Sequence, residues 1–213
     1  MKLFIKLSFI TLLGLPLFCS GNPTVQVETN TTQQQQSQTT LQEANTLFVE
    51  GRRTSNTELI RQANDKYSLW LNDNDKTATN EERAQVLRSR ASTSFVLDDL
   101  NSAINDYKKS NQYDPIGEIQ LGICFLEKKQ GAKSADLHNC YTEAVQIFAS
   151  RQTVKTDVNY LIARILSDDK TAITEYKKAI QTELDSEQRE IYEMAAQEYL
   201  DKSTCQQILT KCE

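Results

Sequence analysis

The chain of 213 residues holds five cysteines, Cys19, Cys124, Cys140, Cys205 and Cys212, and a single histidine, His138. With one imidazole, no His-based metal cage or two-histidine mechanism can be assembled within one subunit. No Cys-x-x-Cys pair occurs, so the thiols are not spaced as zinc ligands, and neither a metal nor a cofactor is expected. Cys140 lies two residues beyond His138, which on a helix turns the two side chains about 200° apart and disfavours a Cys–His nucleophile. The doublets Asp98-Asp99 and Asp168-Asp169 read as turn and capping residues, because adjacent carboxylates point different ways. Asn72-Asp73-Asn74-Asp75 lacks the glycine and terminal glutamate of a calcium loop and reads as a solvated loop. Gly-x-Gly-x-x-Gly, Walker, His-Glu-x-x-His and Gly-x-Ser-x-Gly patterns are all missing. The expectation is a protein that is not an enzyme.

Setting Cys19 aside leaves an even number of cysteines, as an oxidising compartment would require. Cys205 and Cys212 would stand about 10 Å apart on a straight helix, too far for a disulfide, so a bridge between them needs a bend. Cys124 and Cys140 fit two readings, a disulfide or buried free thiols packing as small hydrophobes.

Composition sets the architecture that must position these residues. Gly (6) and Pro (3) are too scarce for a fold with a turn every few residues, which disfavours sandwiches and barrels and leaves an all-α fold. A net charge of −5 argues against a broad basic face and hence against nucleic acid as a partner. Residues 1–21 read as an export leader, with Lys2 and Lys6 ahead of an apolar run, Leu7 to Phe18, too short to span a bilayer. Removing it would take the charge from −5 to −7. The segment resembles a bacterial lipoprotein signal, with Cys19 at the position of the lipidated cysteine, although Pro16-Leu17-Phe18 departs from the usual small residues. The rival reading is ordinary cleavage after Gly21. Membrane association is therefore expected only through a lipid anchor on Cys19. Residues 22–40, rich in Gln and Thr, have too little apolar surface to order and read as a disordered tether reaching roughly 25 Å.

From Leu41 to the C-terminus, residues 41–213, the apolar period is helical. Ala103, Tyr107 and Ser110 stand at i, i+4 and i+7 with Pro115 beyond, and Ala172, Tyr176 and Ala179 repeat the spacing 69 residues later. Tyr141 and Ala144 fall near the midpoint, and Ala63, Tyr67 and Trp70 form a weaker copy. This small–aromatic–small spacing resembles the second helix of tetratricopeptide repeats, units of about 34 residues. The resemblance implies an α-solenoid of three to four helical hairpins, at about 41–72, 83–116, 117–151 and 153–185, with the tyrosines wedged between hairpins. Thr79 or Asn80 should cap the second hairpin, with Glu82 near a capping-box position. A C-terminal capping helix is expected to bury Ile191, Met194, Ala195 and Tyr199.

In such arrays the first helix of each hairpin lines a concave face that grips a protein or peptide. The resemblance places Gln85, Arg88, Ser92 and Phe95 there, with Ile119, Ile123 and Leu126, and then Asp157, Leu161 and Arg164. The alternative is that a neighbouring helix covers the apolar members of this set. The expected role is a cell-envelope adaptor that binds a partner through this groove. Small acidic helical lipoproteins also resemble periplasmic immunity proteins that neutralise a toxic enzyme, which is the second reading.

Overall fold

The computed structural model describes residues 27–151, 153, 155–209 and 212, so the leader, Cys19 and the question of its lipidation lie outside the described residues. The described chain is all-α. Helix α1 spans Val27–Thr54, α2 Thr57–Asp73, α3 Asn80–Val96, α4 Leu100–Tyr113 and α5 Gly117–Lys129. Then come α6 Ser134–Ser150, α7 Val158–Leu166 and α8 Lys170–Lys178, extended by a π-helical turn Ala179–Glu183. Helices α9 Ser186–Tyr199 and α10 Lys202–Ile208 complete the described helices. From α1 to α8 each helix packs mainly on a neighbour in sequence, with α5 also touching α7, while α9 packs chiefly on α7 and α10 folds back onto α8.

Local chemistry explains where these helices begin. Five aspartates or near equivalents would otherwise be idle; instead Asp99, Asp157, Asp169, Asp185 and Asp201 each accept a backbone N–H at the start of α4, α7, α8, α9 and α10. Asn56 does the same for α2, and Thr79 with Glu82 forms the expected reciprocal capping box on α3. Pro115 ends the second hairpin: Asp114, the residue before it, is extended (φ −147°, ψ 89°).

The turns that close the hairpins share one geometry. Ser55, Asp98, Gly131 and Asp168 all adopt positive φ, at 54°, 62°, 85° and 66°. The next N–H in each case reaches back five residues: Asn56 to the Gly51 carbonyl (2.8 Å), Asp99 to Ser94 (2.9 Å), Ala132 to Glu127 (3.0 Å) and Asp169 to Arg164 (2.9 Å). This is the Schellman closure, which satisfies carbonyls left over at a helix end. In three turns the following residue, Asn56, Asp99 or Asp169, immediately caps the next helix, so one residue reverses the chain and the next restarts it. The α5–α6 turn inserts Ala132 before its cap position Lys133, the slight excess length visible in Gly131-Ala132-Lys133.

The small–aromatic–small positions are buried throughout. Ala63, Ala103, Ser110, Ala144, Ala172 and Ala179 have no exposed surface, and Tyr67, Tyr107, Tyr141 and Tyr176 are at most 8% exposed. Their surroundings differ from a uniform wedge between hairpins. Tyr107 bonds Ser92 on α3 (3.0 Å) and Tyr141 packs its ring toward Phe125 on α5, both within their own hairpin. Tyr67 donates to Asn45 on α1 (2.6 Å), and Tyr176 reaches the next hairpin by donating to the Tyr192 carbonyl on α9 (2.7 Å). The apolar core is one cluster from Ala91 to Ile208 and a smaller one formed by Ala44, Ala63, Tyr67, Trp70 and Val86. Between them α2 and α3 meet through polar groups. Asn64 donates to Thr93 and Ser94, and Arg90 bonds both Ser68 and the buried Asp106.

Disulfides join Cys124 of α5 to Cys140 of α6 and Cys205 of α10 to Cys212, with Cα separations of 5.7 and 6.0 Å. The first excludes the free-thiol reading and staples the third hairpin. The second is possible because α10 ends at Ile208 and Leu209 is extended, the bend its spacing demands.

Two expectations are corrected. The segment 22–40, expected to be disordered, is helical from Val27 onward as the first part of α1. Glutamine is a good helix former, and the Thr39 and Thr40 hydroxyls bond carbonyls four residues back, so a helix seeded where α1 packs on α2 propagates into the polar stretch. On α9 the buried face is Tyr192 and Ala196 instead of Ile191 and Met194, which stay 47% and 40% exposed. The ring of Tyr192, 5.3 Å from that of Tyr176, sets that phase.

The shared turn makes a direct prediction. Asp98→Gly should stabilise the chain by about 0.5–1 kcal/mol, since glycine adopts positive φ without the clash of a Cβ. Asp98→Val should destabilise it by more than about 1 kcal/mol. Urea midpoints of the oxidised protein measure both.

Candidate partner-binding surface

The residues expected to line a concave groove do not form one surface. Ile123 and Leu161 are fully buried and Leu126 is 9% exposed, so these three belong to the core. Neighbouring helices cover them, which is the alternative the sequence left open. Ser92 is engaged on both sides, donating to the Arg88 carbonyl (3.0 Å) and sharing a hydrogen bond with the Tyr107 hydroxyl. Arg164 is also an internal residue. Its Nε bonds Asp169 (2.7 Å), Nη1 bonds Glu175 (2.5 Å), Nη2 bonds Thr171 (2.9 Å), and its guanidinium lies 5.5 Å from the Tyr160 ring. The bond to Glu175, and then those to Asp169, raise its pKa further above the ordinary value, while the same bond holds the Glu175 carboxyl low. Its work is to tie the α7–α8 turn together. Of the ten residues, Ile119 is buried and Asp157 caps α7, which leaves exposed Gln85, half-buried Arg88 and Phe95, 44% exposed near the end of α3, on a surface a partner could reach.

Arg88 belongs to a cluster that the sequence did not mark. Its Nη1 and Nη2 each lie 3.1 Å from Asp114 Oδ2, and Nη1 also approaches the Asp114 carbonyl (3.3 Å). Arg151, at the end of α6, donates to the other oxygen of the same carboxylate. Arg83, one and a half turns before Arg88, lies over the ring of Tyr113, 5.7 Å from its centroid. Arg83 otherwise donates to the Asp75 carbonyl and the Asn80 side chain, both neutral, and its Nε is buried with no hydrogen-bond partner among the described residues. Two guanidinium groups thus share one carboxylate, and a third lies over the ring of the adjacent Tyr113. Tyr113 is 40% exposed, and the Arg151 side chain 47%. The elements that deliver them are the whole of α3, the end of α4 with its proline-terminated link, and the end of α6, so the cluster bridges the second and third hairpins. No local sequence signal announces it.

A second feature is a cleft of about 420 Å³ walled by α2 and α4 with α3 between them, bordered by Asn64, Ser68, Arg90, Ser94, Asn105 and Asp106. Its inner polar groups are already paired with one another, as the bonds of Asn64 and Arg90 show, so it acts first as a polar junction between hairpins. His138 is exposed, with Nδ1 3.7 Å from an Asp168 carboxylate oxygen, and Cys140 is held in its disulfide. Among the described residues no group of three or more His, Cys, Asp or Glu side chains is placed to hold a metal ion, and no helix is long and apolar enough to cross a membrane.

The arginines divide by what they leave behind when removed. Arg90→Ala strands the Asp106 carboxylate, whose side chain is 4% exposed, and should cost about 3 kcal/mol. Arg151→Ala removes an exposed partner and should cost less than about 1 kcal/mol. Equal losses in urea denaturation would show that Arg151 is as structural as Arg90.

Comparison with protein-family models, with curated proteins and with solved structures finds no match to this chain.

Proposed function

We propose that this chain is a non-enzymatic, protein-binding adaptor of the bacterial cell envelope, built as a solenoid of tetratricopeptide-like hairpins. The observation that carries the reading is the fourfold recurrence of one hairpin design, a Schellman turn at Ser55, Asp98, Gly131 or Asp168 followed by a buried tyrosine in the second helix. Stacked hairpins of this kind expose long helical surfaces at low cost to the core, because each unit is stabilised by its neighbours alone. Such surfaces suit the capture of helices or extended peptides. Two disulfides agree with an oxidising compartment, and the leader with Cys19 supplies a route to it. The concave-groove set reduces in this reading to Gln85, Arg88 and Phe95, joined by Arg83, Tyr113 and Arg151.

The test is in-cell crosslinking from a photoreactive residue placed at Phe95, with Leu69 on α2 as a second exposed site. One discrete protein adduct from Phe95, reduced or missing from Leu69, is the expected result. A chain that forms no adduct from either site under conditions that trap known complexes would contradict the adaptor role. If the trapped protein is a toxic enzyme that loses activity on binding, the chain is an immunity protein.

A further inference from the structure

The cluster at the junction of the second and third hairpins holds more positive charge than its own structure neutralises. Arg88 and Arg151 converge on Asp114, and Arg83 lies over the ring of the adjacent Tyr113, in a chain whose net charge is −5. We propose that this cluster is the docking site for an acidic segment of the partner protein, an inference that rests on the protein-binding reading above. Asp114 uses one side of the Arg88 fork and orients Arg151 from its second oxygen. Among the described residues Arg83 meets only neutral oxygens and the Tyr113 ring, so its charge is left for an incoming anion. The planar guanidinium fork fits a carboxylate in two-point contact, better than it fits a single point charge. Arg and Tyr are the residue types that dominate interface energies, and the exposed Tyr113 ring gives the segment an apolar shelf beside the charges. Of the two acids in the first turn of α3, Glu82 is already committed to the capping box with Thr79.

An anionic membrane is a poorer fit. Three arginines gain about 1 kcal/mol each near such a surface, while the excess of acids over the rest of the chain is repelled by it. A duplex or single-stranded nucleic acid meets the same repulsion over a larger area. An acidic peptide is small enough to feel the cluster and little else, since screening confines the field of exposed charges to roughly 10 Å.

The experiment is a nuclear magnetic resonance titration of the full oxidised chain, following arginine Nε–H and backbone amide signals while hexaglutamate peptide is added. Saturable shifts at Arg83, Arg88, Arg151 and Tyr113 are expected, weakened by salt. The double variant Arg83→Gln/Arg151→Gln should bind about tenfold more weakly with the remaining spectrum unchanged, which confirms that it folds. Parallel arms contain hexalysine, inorganic phosphate and vesicles with phosphatidylglycerol, none of which should reproduce those shifts. A silent cluster, an undiminished response in the variant, or equal shifts with phosphate or vesicles would overturn the proposal. Hexaglutamate shifts confined to another surface would overturn it too while leaving the protein-binding reading intact; that reading fails separately if crosslinking from the surface traps nothing.

Discussion

The structure depends on how closely helices can approach where alanine or serine stands opposite a tyrosine. A helix of fourteen or so residues cannot hold its shape in water by its own hydrogen bonds and must bury a face against another. Ala63, Ala103, Ala144 and Ala172 present almost no side chain, so the backbones come together, and the tyrosine one turn away fills the space that remains. The phenol adds a constraint that a phenylalanine would lack, since its hydroxyl has to find an oxygen. Tyr67, Tyr107 and Tyr176 each do so, on α1, α3 and α9. In α2, α4 and α8 that requirement fixes the helix's rotation as well as its distance, while on α6 the Tyr141 hydroxyl is buried without a partner among the described residues and packing alone sets its place.

From this follows the position of the arginine cluster. With Ala91 turned into the core and Ser92 held by Tyr107, Arg88 one turn earlier on α3 must emerge beside the α4–α5 link. Pro115 ends α4 there and leaves Asp114 extended, able to accept from Arg88 and from Arg151 across the hairpin junction. The contrast with Arg90 is instructive. Two residues farther along α3, it points to the opposite side and is locked to Asp106 and Ser68 within the α2–α3 junction. Arginines so close in sequence have different fates because the helix turns them apart.

Much of this architecture was legible in the sequence, and the limits have physical causes. Scarce glycine and proline, helical periodicity and the Ala–Tyr–small spacing pointed to an all-α chain, and the aspartate doublets and Thr79–Glu82 to its turns and caps. Those signals are local, so they survive without knowledge of tertiary packing. Composition misjudged residues 27–40 because it counts apolar area and ignores helix propagation from a packed neighbour. The face of α9 was ambiguous because Ile191 and Tyr192 are both good core residues, and only the ring of Tyr176 decides between them. The burial of Ile123 and Leu161 was not legible because the family pattern says which helix faces inward, without saying that α5 and α7 touch. Arg83 and Arg151 had no signal at all, since Arg151 reaches Arg88 only through the Asp114 carboxylate in the α4–α5 link and Arg83 joins them only through the Tyr113 ring.

Burial raises the hydroxyls of Tyr67 and Tyr141 to about 12, and it also raises those of Tyr107 and Tyr176. A raised phenol favours the folded state fully below the ordinary value of 10.0, and that stability is lost as the pH climbs toward the folded value. Phenolate absorbance recorded together with helical circular dichroism between about pH 9 and pH 13 therefore tests the packing most directly. The buried tyrosines should ionise in one step that coincides with loss of helix above pH 10. Ionisation of all eight tyrosines near pH 10 with the helical signal intact would contradict the account, because it would place the rings in water.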